Sequence, residues 1–262
     1  MASKILVDEL APQSHATDVT LATGKKIAGA ETQYKVTGGA VDEILKSDGA
    51  GNLVWGGMAG FTDMHFVEAD GSTSWPVPAG AKKLLVFLTG GGAGGGGGGA
   101  SGEGSGGGAG GTTVALIDVS GGETSTIVIG AYGAGGTSAN GSDGGDSTFT
   151  YVSGTTSWST VTAKGGVKGM YQAYQSASLA GTVGATNKGI AYYGGMGSPC
   201  THGSSLGGAS FWGSGGAGGH PALGLAFPAQ AVGSGGGGGI STAAYRMSAI
   251  GADGGIMIYV FK

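Results

Sequence analysis

Residues 90–111 contain only Gly, Ala, Ser and a single Glu. No other feature limits what this chain can fold into as strongly. Glycine loses more backbone freedom on ordering than any other residue, and it has no side chain to bury. An ordered run of this kind must be held by its own N–H and C=O groups or by burial in an oligomer. Shorter runs occupy 133–136, 194–197, 213–219 and 233–239, and glycine totals 64 of 262 residues, against a usual share of roughly 7%. There is no Gly-X-Y period and proline totals only 6, which excludes a collagen triple helix. Two readings remain. The runs are flexible linkers, or they are extended left-handed helices of polyproline II geometry. Such helices have no internal hydrogen bonds, but without side chains neighbours can bond N–H to C=O. Hydrophobic residues make up 40% of the chain, enough core material for an ordered domain despite the glycine.

Short segments of strand character separate the runs. Residues 61–67, 84–88, 113–119, 126–129, 148–152, 158–163 and 256–261 are apolar, β-branched or aromatic and are bounded by turn-forming residues. Trp75-Pro76-Val77-Pro78-Ala79-Gly80 reads as extended chain that then turns. The last strand can close a sheet beside the first. The expected fold class is all-β, a β-sandwich or small barrel-like sheet with polyglycine II-like helices, over residues 61–262. Residues 1–60 form a second domain. Their apolar residues come in short pieces, among them Ile5-Leu6-Val7, Ile44-Leu45 and Leu53-Val54-Trp55, split by Gly38-Gly39, Ser47-Asp48-Gly49 and Gly51-Asn52. About 60 residues make a marginal core, so this piece is expected to wrap around identical copies or dock on a larger assembly.

Charge and motifs narrow the function classes. Charged residues are 11% and the net charge is −4, so there is no basic stripe for nucleic acid. The longest apolar run, 256–261, is far short of the roughly 20 residues that span a bilayer. No apolar stretch follows Lys4, Asp8 and Glu9 as a signal segment would. The expectation is a protein made in the cytosol, with no membrane insertion, that leaves the cell by a route such as lysis. The lone Cys200 forbids an intramolecular disulfide. Cys200-Thr201-His202 has no second ligand pair at zinc spacing, so no metal and no cofactor is expected. Asp143 and Asp146, in Asn140-Gly141-Ser142-Asp143-Gly144-Gly145-Asp146, read as a turn in preference to a calcium loop. Carboxylates are sparse, and glycan hydrolysis needs two of them flanking a cleft. The chain is not expected to be an enzyme. Aromatic residues beside Gly, Ser and Gln make adaptable recognition surfaces. Trp158, Tyr171, Tyr174, Tyr192, Tyr193, Phe211 and Trp212 are the receptor-binding candidates; their other reading is as caps on the glycine helices or filling in the sandwich.

Several motifs occur in a set order. They are Trp75 to Gly80, the strand 84–88, the run from Gly90, Ser120-Gly121-Gly122-Glu123, Ile127-Val128-Ile129-Gly130-Ala131-Tyr132-Gly133, and Gly251-Ala252-Asp253-Gly254-Gly255-Ile256-Met257-Ile258-Tyr259-Val260. This order resembles the glycine-rich C-terminal domain of many bacteriophage tail fibre proteins. Residues 39–55 resemble a short β repeat common in such fibres, and Ser3-Lys4-Ile5-Leu6-Val7-Asp8 fits their N-termini. The resemblance implies an elongated homotrimer located in the virion, on the phage tail. Residues 1–60 would attach it to other tail or baseplate proteins. The distal domain would bind a bacterial surface glycan or outer-membrane protein. A more distant similarity is to the adhesin at the tip of T-even-type long tail fibres, a single-copy protein that presents variable loops from packed polyglycine helices; the N-terminal segment departs from it. The competing readings are a purely structural or decorating virion fibre, and a polysaccharide depolymerase.

Overall fold

The computed structural model describes residues 43–47, 53–57, 60–99, 102–153, 157–171, 190–199, 205–219, 225–240 and 247–262. Its contacts divide the chain into two units, Met1–Met58 and Ala59–Lys262. In the first, β1 (Glu43–Ser47) and β2 (Leu53–Gly57) form an antiparallel hairpin with Leu45 opposite Trp55. The strand readings at Ile44-Leu45 and Leu53-Val54-Trp55 coincide with these elements. Those nearer the N-terminus lie outside the described residues.

The second unit is all-β, with no helix among the described residues. Its strands are β3 (Phe61–Val67), β4 (Gly71–Pro76), β5 (Lys83–Thr89), β6 (Thr112–Asp118), β7 (Thr124–Ile129), β8 (Ser147–Ser153), β9 (Ser157–Ala163), β10 (Ile190–Tyr192) and β11 (Gly255–Phe261). They form two antiparallel sheets, one in the order β10-β6-β5-β11-β3 and one in the order β4-β7-β8-β9. As the sequence suggested, the last strand lies beside the first of this unit: β11 pairs with β3 on one side and β5 on the other. Two strand features were not legible. Ser72, Thr73 and Ser74 of β4 carry no apolar signal, and β10 has only three residues.

Period-two alternation builds the sandwich. Leu84, Val86 and Leu88 of β5 and Ile256, Ile258 and Val260 of β11 are fully buried. Opposite them the second sheet contributes Trp75, Ile127, Phe149, Tyr151 and Val161. Trp75 meets Phe149 edge-on at 6.1 Å, and Phe149 stacks on Tyr151 at 5.8 Å. Burial raises the pKa of the Tyr151 phenol above its ordinary value, against the smaller opposite effect of a bond with Ser159.

Beyond the sandwich the chain changes its bonding rule. Strand β5 runs straight into the glycine-rich segment 90–97. There Gly90, Ala93 and Gly96 donate to the carbonyls of Gly111, Gly108 and Ser105 at 3.0, 2.9 and 2.8 Å. Gly91, Gly94 and Gly97 donate to Gly145, Ser142 and Ala139, while Gly92 and Gly95 donate to Ala252 and Ala249. The carbonyls repeat the pattern on other neighbours. Those of Gly91 and Gly94 accept from Gly166 and Gly169, those of Gly92 and Gly95 from Gly133 and Gly136, and those of Ala93 and Gly96 from Gly236 and Gly239. Every third residue thus faces the same neighbour, and the segment is bonded to three segments as donor and to three others as acceptor. A β-strand, with its period of two, can bond only to the neighbours on either side of it. Segment 104–111 follows the same period of three. Gly104, Gly107 and Gly110 donate to Gly239, Gly236 and Gly233, and Ser105, Gly108 and Gly111 to Met170, Val167 and Lys164.

The glycines in this lattice are required by proximity. A Cβ on Gly94 would lie 1.9 Å from the carbonyl oxygen of Ala134, and Gly94 is not among the positive-φ glycines. The linker reading therefore fails for these runs: their backbone groups are paired, as buried ones must be. Asp143 and Asp146 also differ from the turn expected of them. They lie in a bonded extended segment, where their carboxylates accept from the N–H groups of Lys168 (2.7 Å) and Gly165 (3.0 Å). A polar belt joins sandwich and lattice. The Ser147 hydroxyl donates to the Thr89 carbonyl at 2.7 Å and accepts from the Gly130 N–H at 2.9 Å. The Thr89 and Thr112 hydroxyls lie 2.8 Å apart.

Candidate functional site

The lattice gathers chain connections at one end. Bonding register places Gly97 beside Ala139, Gly96 beside Ser105, Ser198 beside Gly106 and Leu206, and Gly219 beside Gly238. Thr137 bridges Met247 at the same level. All these pairs lie far from the sheets, at the opposite end of their segments from the strands. The described residues that flank 100–101, 200–204, 220–224 and 241–246 lie at this level, as does Tyr171 before 172–189. The intervening residues lie outside the described residues. So does Tyr174. Tyr171 stands at the last described position before 172–189, and its N–H donates to the Asn140 side chain at 2.7 Å. Asn140 Oδ1 thus takes up a backbone donor at a segment end.

A second surface lies on the outward face of the five-stranded sheet. The side chains that alternate with the core point away from the sandwich and form cross-strand rows. One row is Phe66, Met257, Phe87, Val114 and Ile190; the next is Met64, Tyr259, Leu85 and Leu116. Phe61 packs on Tyr259 at 5.5 Å, and Phe87 meets Tyr259 edge-on at 6.0 Å. Near β10 the face is extended by the turn that carries Phe211 and Trp212. Phe211 lies 5.2 Å from Tyr192 and 5.9 Å from Phe87. Trp212 packs against Phe66 and Phe87, and its indole N–H donates to Thr89 Oγ1 at 2.8 Å. An open depression of about 480 Å³ lies at the other corner, lined by Gly60, Lys82, Lys83, Leu116, Phe261 and Lys262.

The aromatic candidates therefore divide. Tyr192, Phe211 and Trp212 meet on the sheet face, with Trp212 half-buried and its N–H already used. Tyr193 follows directly and is 71% exposed. Tyr171 belongs to the far end of the lattice. Trp158 lies on β9, in register with Val152 of β8 in the four-stranded sheet. Sequence reasoning missed Phe61, Met64, Phe66 and Leu116, which are exposed. Their strands were recognised, but an apolar residue on the outward side of a strand looks the same in sequence as one on the core side. Cys200, His202 and His220 lie outside the described residues. Among those described, no group of three or more His, Cys, Asp or Glu could hold a metal ion.

The features together define an all-β glycine-rich domain: a two-sheet sandwich extended by a glycine lattice. A glycine-rich domain family model matches residues 67–261. The chain belongs to this glycine-rich domain family. None of the curated proteins compared with the chain gives a significant match.

Proposed function

We propose that this chain is a bacteriophage tail fibre subunit that attaches the virion to the host bacterial surface. The observation that carries the reading is the meeting of many segment ends at one end of a lattice whose backbone groups are bonded on every side. Loops on a rigid scaffold carry recognition while the scaffold stays unchanged. The ordered motifs between Trp75 and Val260 support the same assignment by their resemblance to tail fibre domains. The period of three in the lattice is what packed left-handed polyglycine helices would give, and we read the segments that way. In this reading the chain is a homotrimer and residues 1–60 face the rest of the tail. The far-end connections, with Tyr171 and Tyr174, meet a surface glycan or an outer-membrane protein.

The test uses the purified full-length protein, fluorescently labelled, on a panel of bacterial strains. It should bind the strains that a phage carrying it infects and should compete with that phage for adsorption. Tyr171→Ala combined with Tyr174→Ala should weaken binding. If no strain is labelled, or if the double variant competes as well as the parent, attachment through this end is wrong and a structural or decorating fibre remains.

A further inference from the structure

The two sheets of the sandwich have unlike outward faces. On the four-stranded sheet the residues alternating with the core include Ser72, Ser74, Thr126, Thr150 and Thr160, and the Thr150 and Thr160 hydroxyls lie 3.1 Å apart. Such a face is suited to water. On the five-stranded sheet most of the corresponding positions hold Phe, Met, Leu, Ile, Val and Tyr, with Lys83, Asp118, Thr89 and Thr112 at the strand ends. Phe61, Met64, Phe66, Leu116, Ile190 and Tyr192 keep between 43% and 62% of their surface exposed.

Size and chemistry identify what this face meets. Those six side chains leave roughly 600 Å² uncovered, the upper end of the largest apolar patch expected on a monomer. The half-buried Leu85, Phe87, Met257 and Tyr259 bring the face close to the roughly 800 Å² that one partner contributes to a stable interface. The rows carry no charge, and at their margin Lys83 is paired with Asp118 across β5 and β6. Lys82, Lys83 and Lys262 line the depression beside Leu116, so charge enters the face only at that edge. The Thr89 and Thr112 hydroxyls are turned on each other and on Trp212, which leaves the Tyr192 and Tyr259 phenols as the polar groups of the rows. An apolar, flat, charge-poor surface of this area is the composition of a homo-oligomer interface.

We infer that the outward face of the five-stranded sheet is covered by a second copy of this chain. The inference rests on the proposed function only for the expected number of copies, three. It names the surface through which they associate, separate from the far-end connections.

The test is made on the full chain at micromolar concentration. Light scattering of the parent should give a multimer. Phe66→Asp with Leu116→Glu places two acids on the face and should give a monomer with the parent's β circular dichroism. A second measurement needs no variant. Hydrogen peroxide should oxidise Met64, 50% exposed in one copy, about tenfold more slowly than Met247, 56% exposed at the far end of the lattice. A monomeric parent, a folded double variant that stays multimeric, or equal oxidation of the two methionines overturns the inference. So does a protected Met64 in a monomer, because the chain then covers its own face. Loss of cell binding by a protein that still multimerises through this face would sink the attachment reading and leave this one standing.

Discussion

The sandwich core and the glycine lattice are continuous along the chain yet are held by opposite means. In the core, Leu84, Ile256 and Phe149 exclude water with side chains, and the backbone bonds only within each sheet. In the lattice, Gly91, Gly94 and Gly97 exclude water by having no side chains, and each backbone group reaches a different neighbour. The core gains from apolar area. The lattice offers little such area, and its backbone groups would each be costly to bury unpaired. The comparison teaches that a chain can offset glycine's entropy cost when nearly every N–H and C=O is paired in three dimensions. Methyl groups are admitted only where the lattice leaves room, as at the fully buried Ala93 and Ala109.

The sharpest way to break the comparison is a single methyl in the lattice. Gly94→Ala forces backbones apart at a 1.9 Å contact, and should destabilise by on the order of 5 kcal/mol, beyond the range of most point mutations. Urea unfolding would measure it; a loss below about 1 kcal/mol would mean that the lattice is loose. The matching deletion in the core, Phe149→Ala, should cost about 3–4 kcal/mol through lost burial and a cavity. Ser147→Ala tests the belt between the two regions. It leaves the buried Gly130 N–H and the Thr89 carbonyl without this partner, so a loss of about 2 kcal/mol is expected from the same unfolding curves. The smallest effect belongs to Gly60→Ala. No atom lies within 4 Å of its added Cβ and its φ is not positive. Melting should be unchanged or slightly raised, by no more than about 1 kcal/mol of added stability.

Much of the sandwich was legible. The strand read at 61–67 coincides with β3, and the apolar runs 84–88 and 256–261 fell inside β5 and β11, because buried strands are rich in contiguous apolar residues. The lattice was legible only where glycine is dense. Residues 140–146 were read as a turn, and 164–171 and 225–230 went unread, because each lies at the border of the lattice and needs small residues only on its inward sides. Gly165, Gly166 and Gly169 meet neighbouring backbone, while Lys168 between them pairs with Asp143. Small residues, Gly, Ala or Ser, at two of every three positions are the signal in 139–146 and 247–254. The aromatic cluster could not be assembled from sequence. Phe66, Phe87, Tyr192, Phe211 and Tyr259 are distant along the chain, and only strand register and the turn at 211–212 bring them together.

The order in which the lattice bonds form has a consequence for synthesis. Segment 90–97 is made early, but its partners include Gly133, Gly166, Gly236, Ala249 and Ala252. Strand β11, which sits between β5 and β3, is the last strand of the chain. A nascent chain on the ribosome thus holds its most glycine-rich stretch with only part of its bonds until residue 252 has emerged. Closure of such distant pairs is entropically slow. Folding of the domain waits for these distant residues, and a chain cut before residue 247 would lose β11, which joins β5 to β3, together with the partners Ala249 and Ala252 of segment 90–97.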